Sequence, residues 1–125
     1  MSKNNESKEM YLEVIYELFL NNKEVRSVDI AEKMGYSRPS ISRAMSVLKK
    51  EGYVIQEPYG TISLTEKGFE TGKKILDRHV CLTKFLRLSL NIDKDLAEKD
   101  ACRFEHVVSE ETMEAIRVYV KANLK

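Results

Sequence analysis

Residues 27–50, SVDIAEKMGYSRPSISRAMSVLKK, contain two helical patterns on either side of a glycine. Ser27 and Ser37 are predicted N-caps, because a serine hydroxyl accepts a hydrogen bond from the free backbone N–H groups at a helix start. Gly35 suits a tight turn with positive φ. Small, turn-forming and apolar residues at these intervals are typical of a helix-turn-helix. The predicted inward faces are Val28, Ile30, Ala31 and Met34, followed by Ile41, Ala44, Met45 and Leu48.

The flanking segments complete a winged version of this motif. Apolar residues recur at helical spacing over Glu9–Leu20, which predicts a first helix. After the second helical pattern, Tyr53–Gln56 and Thr61–Leu64 are β-like runs separated by a Pro-Tyr-Gly turn, which predicts a hairpin. We therefore expect a winged helix-turn-helix DNA-binding domain over residues 1–66.

The second half of the chain is predicted to be helical. Ser63-x-x-Glu66 has the form of a capping box and should open a long helix that runs to about Leu90. Asp93 is a predicted cap for a fifth helix through about Val108, and Ser109 for a sixth. The expected fold class is mostly α, with a helical domain over residues 67–125.

Composition limits the possible functions. The 125 residues are 42% hydrophobic and 33% charged, with a net charge of +1, which fits one domain or two small ones. No apolar run approaches the roughly 20 residues of a membrane span, and the first residues are polar. Two cysteines far apart, Cys81 and Cys102, are expected to be reduced. These features favour a cytoplasmic protein without a membrane partner.

Charge is concentrated on the second helix of the motif. Between Lys33 and Lys50 there are five basic residues and no acidic one, which indicates a surface for a polyanion. Short hydroxyls allow close approach to DNA, and Arg43 is long enough to bond guanine. A winged helix used only for protein contacts is the alternative. The predicted DNA-binding residues are Ser37, Arg38, Pro39, Ser40, Ser42, Arg43, Lys49 and, at the wing tip, Tyr59.

Metal-ligating residue types form a second pattern. Cys102, Glu105 and His106 share a helix face at spacing i, i+3 and i+4. The other histidine of the chain is His79, on the long helix. On the first helix, Met10-x-x-Glu13 adds a thioether and a carboxylate. Together these groups suffice for a divalent transition metal, whereas each alone more often has a packing or surface role.

Several motifs resemble the diphtheria toxin repressor family of metal-dependent transcriptional repressors. They are Glu9-Met-Tyr-Leu, Leu64-Thr-x-Lys-Gly68, Arg78-His79 and DACRFEHVVS over residues 100–109. The resemblance implies, for iron-type members, an activating metal on Met10, Cys102, Glu105 and His106, with His79 at an ancillary ion. In manganese-type relatives, positions matching Glu13 and His79 join the cluster, and those matching Met10 and Cys102 are carboxylates.

The sequence departs from the iron type at three places. Thr83 stands where an ancillary glutamate is usual, and Glu98 where a histidine is usual. The resemblance therefore implies a variant ancillary site of Glu13, His79 and Glu98. The third place is Arg43, which replaces a shorter amide at the recognition helix. We also expect a short form of the family with two domains.

Together these patterns predict a repressor of metal homeostasis genes that is activated by Fe(II). Mn(II) is the alternative, and Co(II), Ni(II) or Zn(II) should bind in vitro. A homodimer built from the fifth helix, the sixth helix and the C-terminal part of the fourth should bind a palindromic operator in double-stranded DNA. Residues 67–125 are therefore expected to be the metal-binding and dimerisation domain. The chain is not expected to be an enzyme. A small metalloenzyme with Glu105 or Glu13 as base and a metal-independent winged-helix regulator are the competing hypotheses.

Overall fold

The structure is a computed structural model that describes residues 3–21, 24–58 and 60–124, with side chains described from residue 8 onward. Over these ranges the chain forms helices and a small antiparallel sheet, so the predicted mostly α fold class is confirmed. The elements are α1 (Lys3–Asn21), β1 (Val25–Arg26), α2 (Ser27–Met34), α3 (Arg38–Lys50), β2 (Val54–Gln56), β3 (Thr61–Leu64), α4 (Glu66–Leu90), α5 (Lys94–Phe104) and α6 (Glu110–Asn123).

The chain divides into two compact units. The winged-helix unit comprises Lys3–Lys73, and the helical unit comprises the described residues from Lys74 onward. The division falls inside α4, which is continuous through it. The domain boundary expected between residues 66 and 67 lies in the first turn of α4 and stays a prediction.

The winged-helix unit contains a three-stranded sheet in the order β1-β3-β2. The hairpin of β2 and β3 was predicted, but the two-residue strand β1 was not. β1 pairs antiparallel with β3, with Val25 opposite Ile62 and Arg26 opposite Thr61. Apolar side chains from α1, α2, α3 and the sheet are buried in this unit, namely Leu12, Ile15, Val25, Ile30, Ile41, Met45, Leu48, Val54 and Ile62.

Two predictions about α2 are wrong. Ser27 is the first residue of the helix rather than its cap, and the Asp29 carboxylate instead accepts a hydrogen bond from the Arg26 backbone N–H at 2.9 Å. Val28 is exposed rather than inward, because β1 runs directly into α2 and the eight-residue helix buries only Ile30 completely.

The turn between α2 and α3 follows the sequence-based expectation. Gly35 adopts φ 71°, the left-handed conformation, and its N–H bonds the Ala31 carbonyl at 2.8 Å. Such a conformation is strained for residues with a side chain. Ser37 then caps α3, as predicted, and Ile41, Met45 and Leu48 are buried.

The long helix α4 has the predicted bounds but a different cap. The Thr65 hydroxyl accepts a hydrogen bond from the Gly68 N–H at 3.0 Å, whereas Ser63, the predicted cap, is inside β3. The same hydroxyl donates to the Gly52 carbonyl at 2.6 Å. Thr65 therefore joins the start of α4 to the end of the preceding helix-turn-helix.

The helical unit has its own apolar core, formed by Leu82, Leu86, Ala97, Ala101, Met113, Ile116 and Val120. Asp93 and Ser109 cap α5 and α6, as predicted. However, α5 ends at Phe104 rather than near Val108, because residues 105–108 form tight turns that reverse the chain into α6. None of the helices that the described residues form combines the length and apolarity needed to cross a membrane.

Candidate metal centre and DNA-binding surface

The recognition helix α3 presents a polar, basic surface. Ser37 Oγ accepts a hydrogen bond from the Ser40 N–H at 3.4 Å and donates to Ser40 Oγ at 3.0 Å. Pro39 occupies the first turn, where a helix needs no N–H donor. Ser40 is half-buried. The other predicted DNA-binding residues that the structure describes are exposed, namely Ser37, Arg38, Pro39, Ser42, Arg43 and Lys49, whereas Tyr59 lies outside the described residues.

Arg43 lies beside α1 as well as on the exposed surface. It lines a cavity of about 470 Å³ together with Tyr11 of α1. The Tyr11 ring meets the Tyr36 ring edge-on, with centroids 6.2 Å apart. Burial, followed by the neighbouring Tyr36, raises the pKa of Tyr11, while the Arg43 guanidinium acts in the opposite direction. The contact of Tyr11 with Tyr36 therefore joins α1 to the turn between α2 and α3.

One exposed basic residue beside the wing, Arg26, is absent from the sequence-based predictions. Arg26 is exposed in β1, and a Cβ placed on Gly60 would lie 3.6 Å from its Nη1 atom. Gly60 belongs to the wing turn, where it adopts φ 85°. A two-residue strand has too little pattern to be recognised in a sequence, so only the pairing of β1 with β3 brings Arg26 beside the wing.

The metal-ligating residues of the helical unit come from two places. His79 is on α4, whereas Glu105 and His106 follow the end of α5. Ala97, Ala101 and Glu105 are spaced four residues apart, and all three are 0% exposed. Glu105 keeps helical geometry and bonds the Ala101 carbonyl through its N–H at 3.0 Å. The small alanines allow α5 to pack closely, and this carries the Glu105 side chain into the interior.

The Glu105 carboxylate lies between two imidazoles. Its Oε2 is 3.4 Å from His79 Nδ1, and its Oε1 is 3.1 Å from His106 Nε2. The side chains of Glu105 and His106 are 0% and 4% exposed. An ionised carboxylate is expensive to bury unless a positive charge balances it. A protonated histidine or a divalent cation could supply that charge.

Cys102 adds a sulfur to the same cluster. One Glu105 carboxylate oxygen lies within 4.8 Å of its Sγ atom, and the residue is exposed. Carboxylate oxygen, imidazole nitrogen and thiolate sulfur are together suited to Fe(II), Co(II) or Zn(II). The donor set therefore fits a transition metal. Cys81, in contrast, packs against the core of the helical unit, and burial raises the pKa of its thiol.

The remaining predicted ligands are distributed as follows. Met10 and Glu13 belong to α1 of the winged-helix unit, where Met10 is half-buried and Glu13 is buried. Glu98 is exposed on α5. Within the helical unit, the structure thus brings together His79, Cys102, Glu105 and His106.

The two units of the chain match two models of one family of metal-dependent DNA-binding regulators. Residues 4–62 match the family model described as the N-terminal DNA-binding domain of iron-dependent repressors. Residues 65–123 match the metal-binding and dimerisation domain of the same repressors. The chain belongs to this family, the diphtheria toxin repressor family of metal-dependent regulators, as the sequence motifs predicted. Its members are DNA-binding transcriptional regulators, so the metalloenzyme hypothesis has no support from the family.

Curated relatives match over most of their length. An uncharacterized HTH-type transcriptional regulator of Methanocaldococcus jannaschii is 37% identical over 118 residues, which are 93% of this chain and 94% of that protein. The HTH-type transcriptional regulator MntR of Bacillus subtilis is 34% identical over 110 residues, 88% of this chain and 77% of MntR.

Among solved structures, the manganese regulator SloR superposes with a TM-score of 0.79 at 31% identity. The match covers 91% of this chain and 53% of SloR, so the chain spans about half the length of that protein.

Proposed function

We propose that this protein is a cytoplasmic, metal-activated transcriptional repressor that binds a palindromic operator as a homodimer. The observation that carries the proposal is the buried Glu105 carboxylate, flanked by nitrogens of His79 and His106. This cluster lies in the segment that matches the metal-binding and dimerisation model. A divalent ion held by these groups would place positive charge next to the buried carboxylate.

The proposed ligand set combines both halves of the sequence. Glu105, His106 and Cys102 would hold the activating ion with Met10 of α1. Glu13, His79 and Glu98 would form the variant ancillary site. Residue chemistry supports these assignments, because each supplies oxygen, nitrogen or sulfur of a kind that transition metals bind. Ligands from α1 would make metal binding depend on the arrangement of the DNA-binding unit, so the ion would favour the DNA-competent state.

Fe(II) is the proposed activator because two of the ligands are sulfurs. Fe(II) accepts mixed nitrogen, oxygen and sulfur ligands, whereas Mn(II) prefers carboxylate and water. Two observations favour Mn(II) as the second candidate: Glu13 is a buried carboxylate, and the similar SloR is a manganese regulator. Co(II), Ni(II) and Zn(II) should bind in vitro at least as tightly as Fe(II), since divalent affinities rise along this series.

The DNA-binding surface would consist of α3 and the wing. Arg43 would bond a base edge in the major groove, and Ser37, Arg38 and Lys49 would contact phosphates. Arg26, beside the wing turn, joins this proposed surface. Two-fold symmetry of a homodimer would place one recognition helix in each half-site of a palindrome.

The test of metal activation starts from a random pool of DNA duplexes. Duplexes are selected with the wild-type chain under anaerobic conditions, in parallel with Fe(II), Mn(II) and a chelator. We expect selection and tight binding only with metal. Equal affinity for the selected duplex in the chelator would instead support a metal-independent winged-helix regulator.

The identity of the metal is tested in cells. A reporter under the selected operator is measured during separate iron and manganese limitation, for the wild type and for the double variant Met10→Asp/Cys102→Glu. We expect the wild type to respond to iron and the variant to shift toward manganese, because the two sulfurs become carboxylates. A wild type that responds only to manganese would contradict the Fe(II) assignment.

A further inference from the structure

Glu51, the residue that ends the recognition helix, is tied to α1 by a close ion pair. Lys8 Nζ lies 2.8 Å from both Glu51 carboxylate oxygens, and the two side chains are 29% and 37% exposed. Glu51 is the C-cap of α3 and directly follows Lys49 and Lys50, two of its exposed basic residues. The end of the helix proposed to bind DNA is therefore joined to α1 through charge.

The Glu51 backbone is held from another side by the first turn of α4. Lys67 Nζ donates a hydrogen bond to the Glu51 carbonyl oxygen at 3.0 Å, and its ammonium lies 4.3 Å from the centroid of the Tyr53 ring. A cation at the C-terminus of a helix is favourable, because the unpaired carbonyls there carry partial negative charge. Glu51 thus joins three elements of the winged-helix unit: α1, α3 and α4.

Beside this ion pair, a groove open to solvent lies between α1 and α3. The cavity of about 470 Å³ lies between the two helices, with Lys8 and Tyr11 on one wall and Arg43, Val47 and Glu51 on the other. Side chains that face an open groove have no packing partner on that side, so dispersion contacts contribute less to the helix pair there. The ion pair is therefore a means of setting the separation of α1 and α3 here.

The pair also changes the charge next to the proposed DNA-binding surface. An uncompensated Glu51 carboxylate beside Lys49 and Lys50 would repel DNA phosphates and compete for the lysine ammonium groups. Lys8 neutralises this carboxylate without adding a free acid or base to the surface.

We propose that Lys8 and Glu51 are positioning residues for DNA binding, which together fix the C-terminal end of α3 relative to α1. Lys67 anchors the Glu51 backbone from α4. The inference rests on the proposed DNA-binding function and deepens it. Lys8 is assigned to Glu51 and not to a DNA phosphate.

A double-mutant cycle tests this assignment with the full chain. Lys8→Met, Glu51→Gln, the double variant and the charge swap Lys8→Glu/Glu51→Lys are compared, with Lys73→Met, an exposed lysine of α4, as control. Affinity for the duplex selected with the wild type and thermal unfolding are measured for each.

We expect Lys8→Met to weaken DNA binding about fivefold, in line with an ion pair at the strong end of the range for partly exposed pairs. The same change in the Glu51→Gln background should alter affinity by less than about twofold. The charge swap should recover most of the loss, and the slope of log affinity against log salt should not change.

Three outcomes would overturn the inference. In the first, Lys8→Met has no larger effect on DNA affinity than Lys73→Met. In the second, Lys8→Met weakens binding equally in the wild-type and Glu51→Gln backgrounds, and in the third it lowers the salt slope by about 0.9, as loss of a direct phosphate contact would. If the wild type selects no duplex, the proposed function fails. Thermal unfolding of the same variants then still measures the coupling of Lys8 with Glu51. Additive changes in unfolding temperature would show that the two side chains do not interact, which overturns the inference.

Discussion

At position 105, a carboxylate is completely buried at the end of a helix, between imidazole nitrogens 3.1 and 3.4 Å away. Burial raises the free energy of an ionised group unless opposite charge and hydrogen bonds compensate. Positions 79, 105 and 106 are therefore coupled, because a change in one alters the charge balance of the others.

The first prediction concerns this carboxylate. Glu105→Gln keeps the shape of the side chain and removes its charge, so it should weaken Fe(II) and Mn(II) binding by more than about tenfold, the lower limit reported for loss of even an outer-shell partner. Metal-stimulated DNA binding should be lost. Calorimetric metal titration and DNA-binding assays measure both effects.

Glu70→Gln, an exposed acid of α4 in the winged-helix unit, serves as the control. Circular dichroism checks that the fold is retained. Full metal activation of DNA binding in Glu105→Gln would contradict the proposed role of Glu105.

The second prediction uses the two cysteines of the chain. Cys102 is exposed and Cys81 is partly buried with a raised thiol pKa, so iodoacetamide should modify Cys102 faster. Saturating Fe(II) or Mn(II) under anaerobic conditions should slow the modification of Cys102 and leave the rate at Cys81 almost unchanged. Peptide mass spectrometry gives both rates. Equal rates at Cys102 with and without metal would argue against sulfur ligation.

At the scale of elements, the recognition helix has a capped N-terminus and an exposed basic face. Ser37 caps α3, and Gly35 before it takes the left-handed conformation that the turn requires. The exposed residues of the helix then differ in length and charge, so they should differ in what they contribute to DNA binding.

The third prediction separates base contacts from phosphate contacts. Arg43→Ala should weaken binding to the selected duplex by about 1–3 kcal/mol and relax the preference at one base pair. Lys49→Ala should weaken binding to all sequences alike and reduce the salt slope by about 1. A panel of single-base variants of the duplex distinguishes the two patterns. A uniform loss across the panel for Arg43→Ala would identify a backbone contact.

The fourth prediction concerns the close approach of α4 to the hairpin. A Cβ at Gly68 would overlap the Tyr53 carbonyl oxygen and lie 3.2 Å from Leu64 Cδ2. Gly68→Ala should therefore destabilise the chain by about 1–3 kcal/mol, although alanine is intrinsically better in helices by about 1 kcal/mol.

Chemical denaturation measures this change. Gly72→Ala is measured for comparison and should destabilise the chain less than Gly68→Ala. Its Cβ would meet the Tyr16 side chain at 2.8 Å rather than a backbone carbonyl. A stabilised Gly68→Ala protein would show that the Tyr53 backbone moves aside at little cost.

At the scale of the whole molecule, each unit has its own core, yet the helical unit also leaves apolar side chains exposed. Leu82, Leu86, Ile116 and Val120 belong to the internal core of this unit. The exposed apolar side chains of this unit are Val80, Leu88, Leu90, Leu96, Phe104, Val107, Val118, Tyr119 and Leu124. Exposed apolar surface of this kind is typical of an interface.

The fifth prediction is a homodimer at micromolar concentration, with and without metal, measured by light scattering after size-exclusion chromatography. Val118→Asp should shift the equilibrium toward monomer, because Val118 is 62% exposed and a buried carboxylate in an interface is costly. Val28→Asp, at an exposed valine of the winged-helix unit, is the control. A monomeric wild type would contradict the prediction.

The sequence by itself determined the elements whose signals are local. Ser37, Asp93 and Ser109 were recognised as caps because a cap depends on hydrogen bonds within a few residues of itself. The bounds of α4 and the hairpin followed from hydrophobic spacing and turn residues in the same way. The metal-ligating types were also visible, because His79, Cys102, Glu105 and His106 are uncommon residues at recognisable intervals.

Only the tertiary structure decided the features that depend on residues far apart in the chain. β1 exists because Val25 and Arg26 pair with β3 more than thirty residues later, and no two-residue pattern encodes this. Glu105 is buried because Ala97 and Ala101 let α5 pack closely, which the spacing of ligand types did not reveal. The ion pair of Lys8 with Glu51 joins residues 43 positions apart. Burial and pairing at such separations depend on the packing of whole elements, and this packing is a property of the folded chain rather than of any segment.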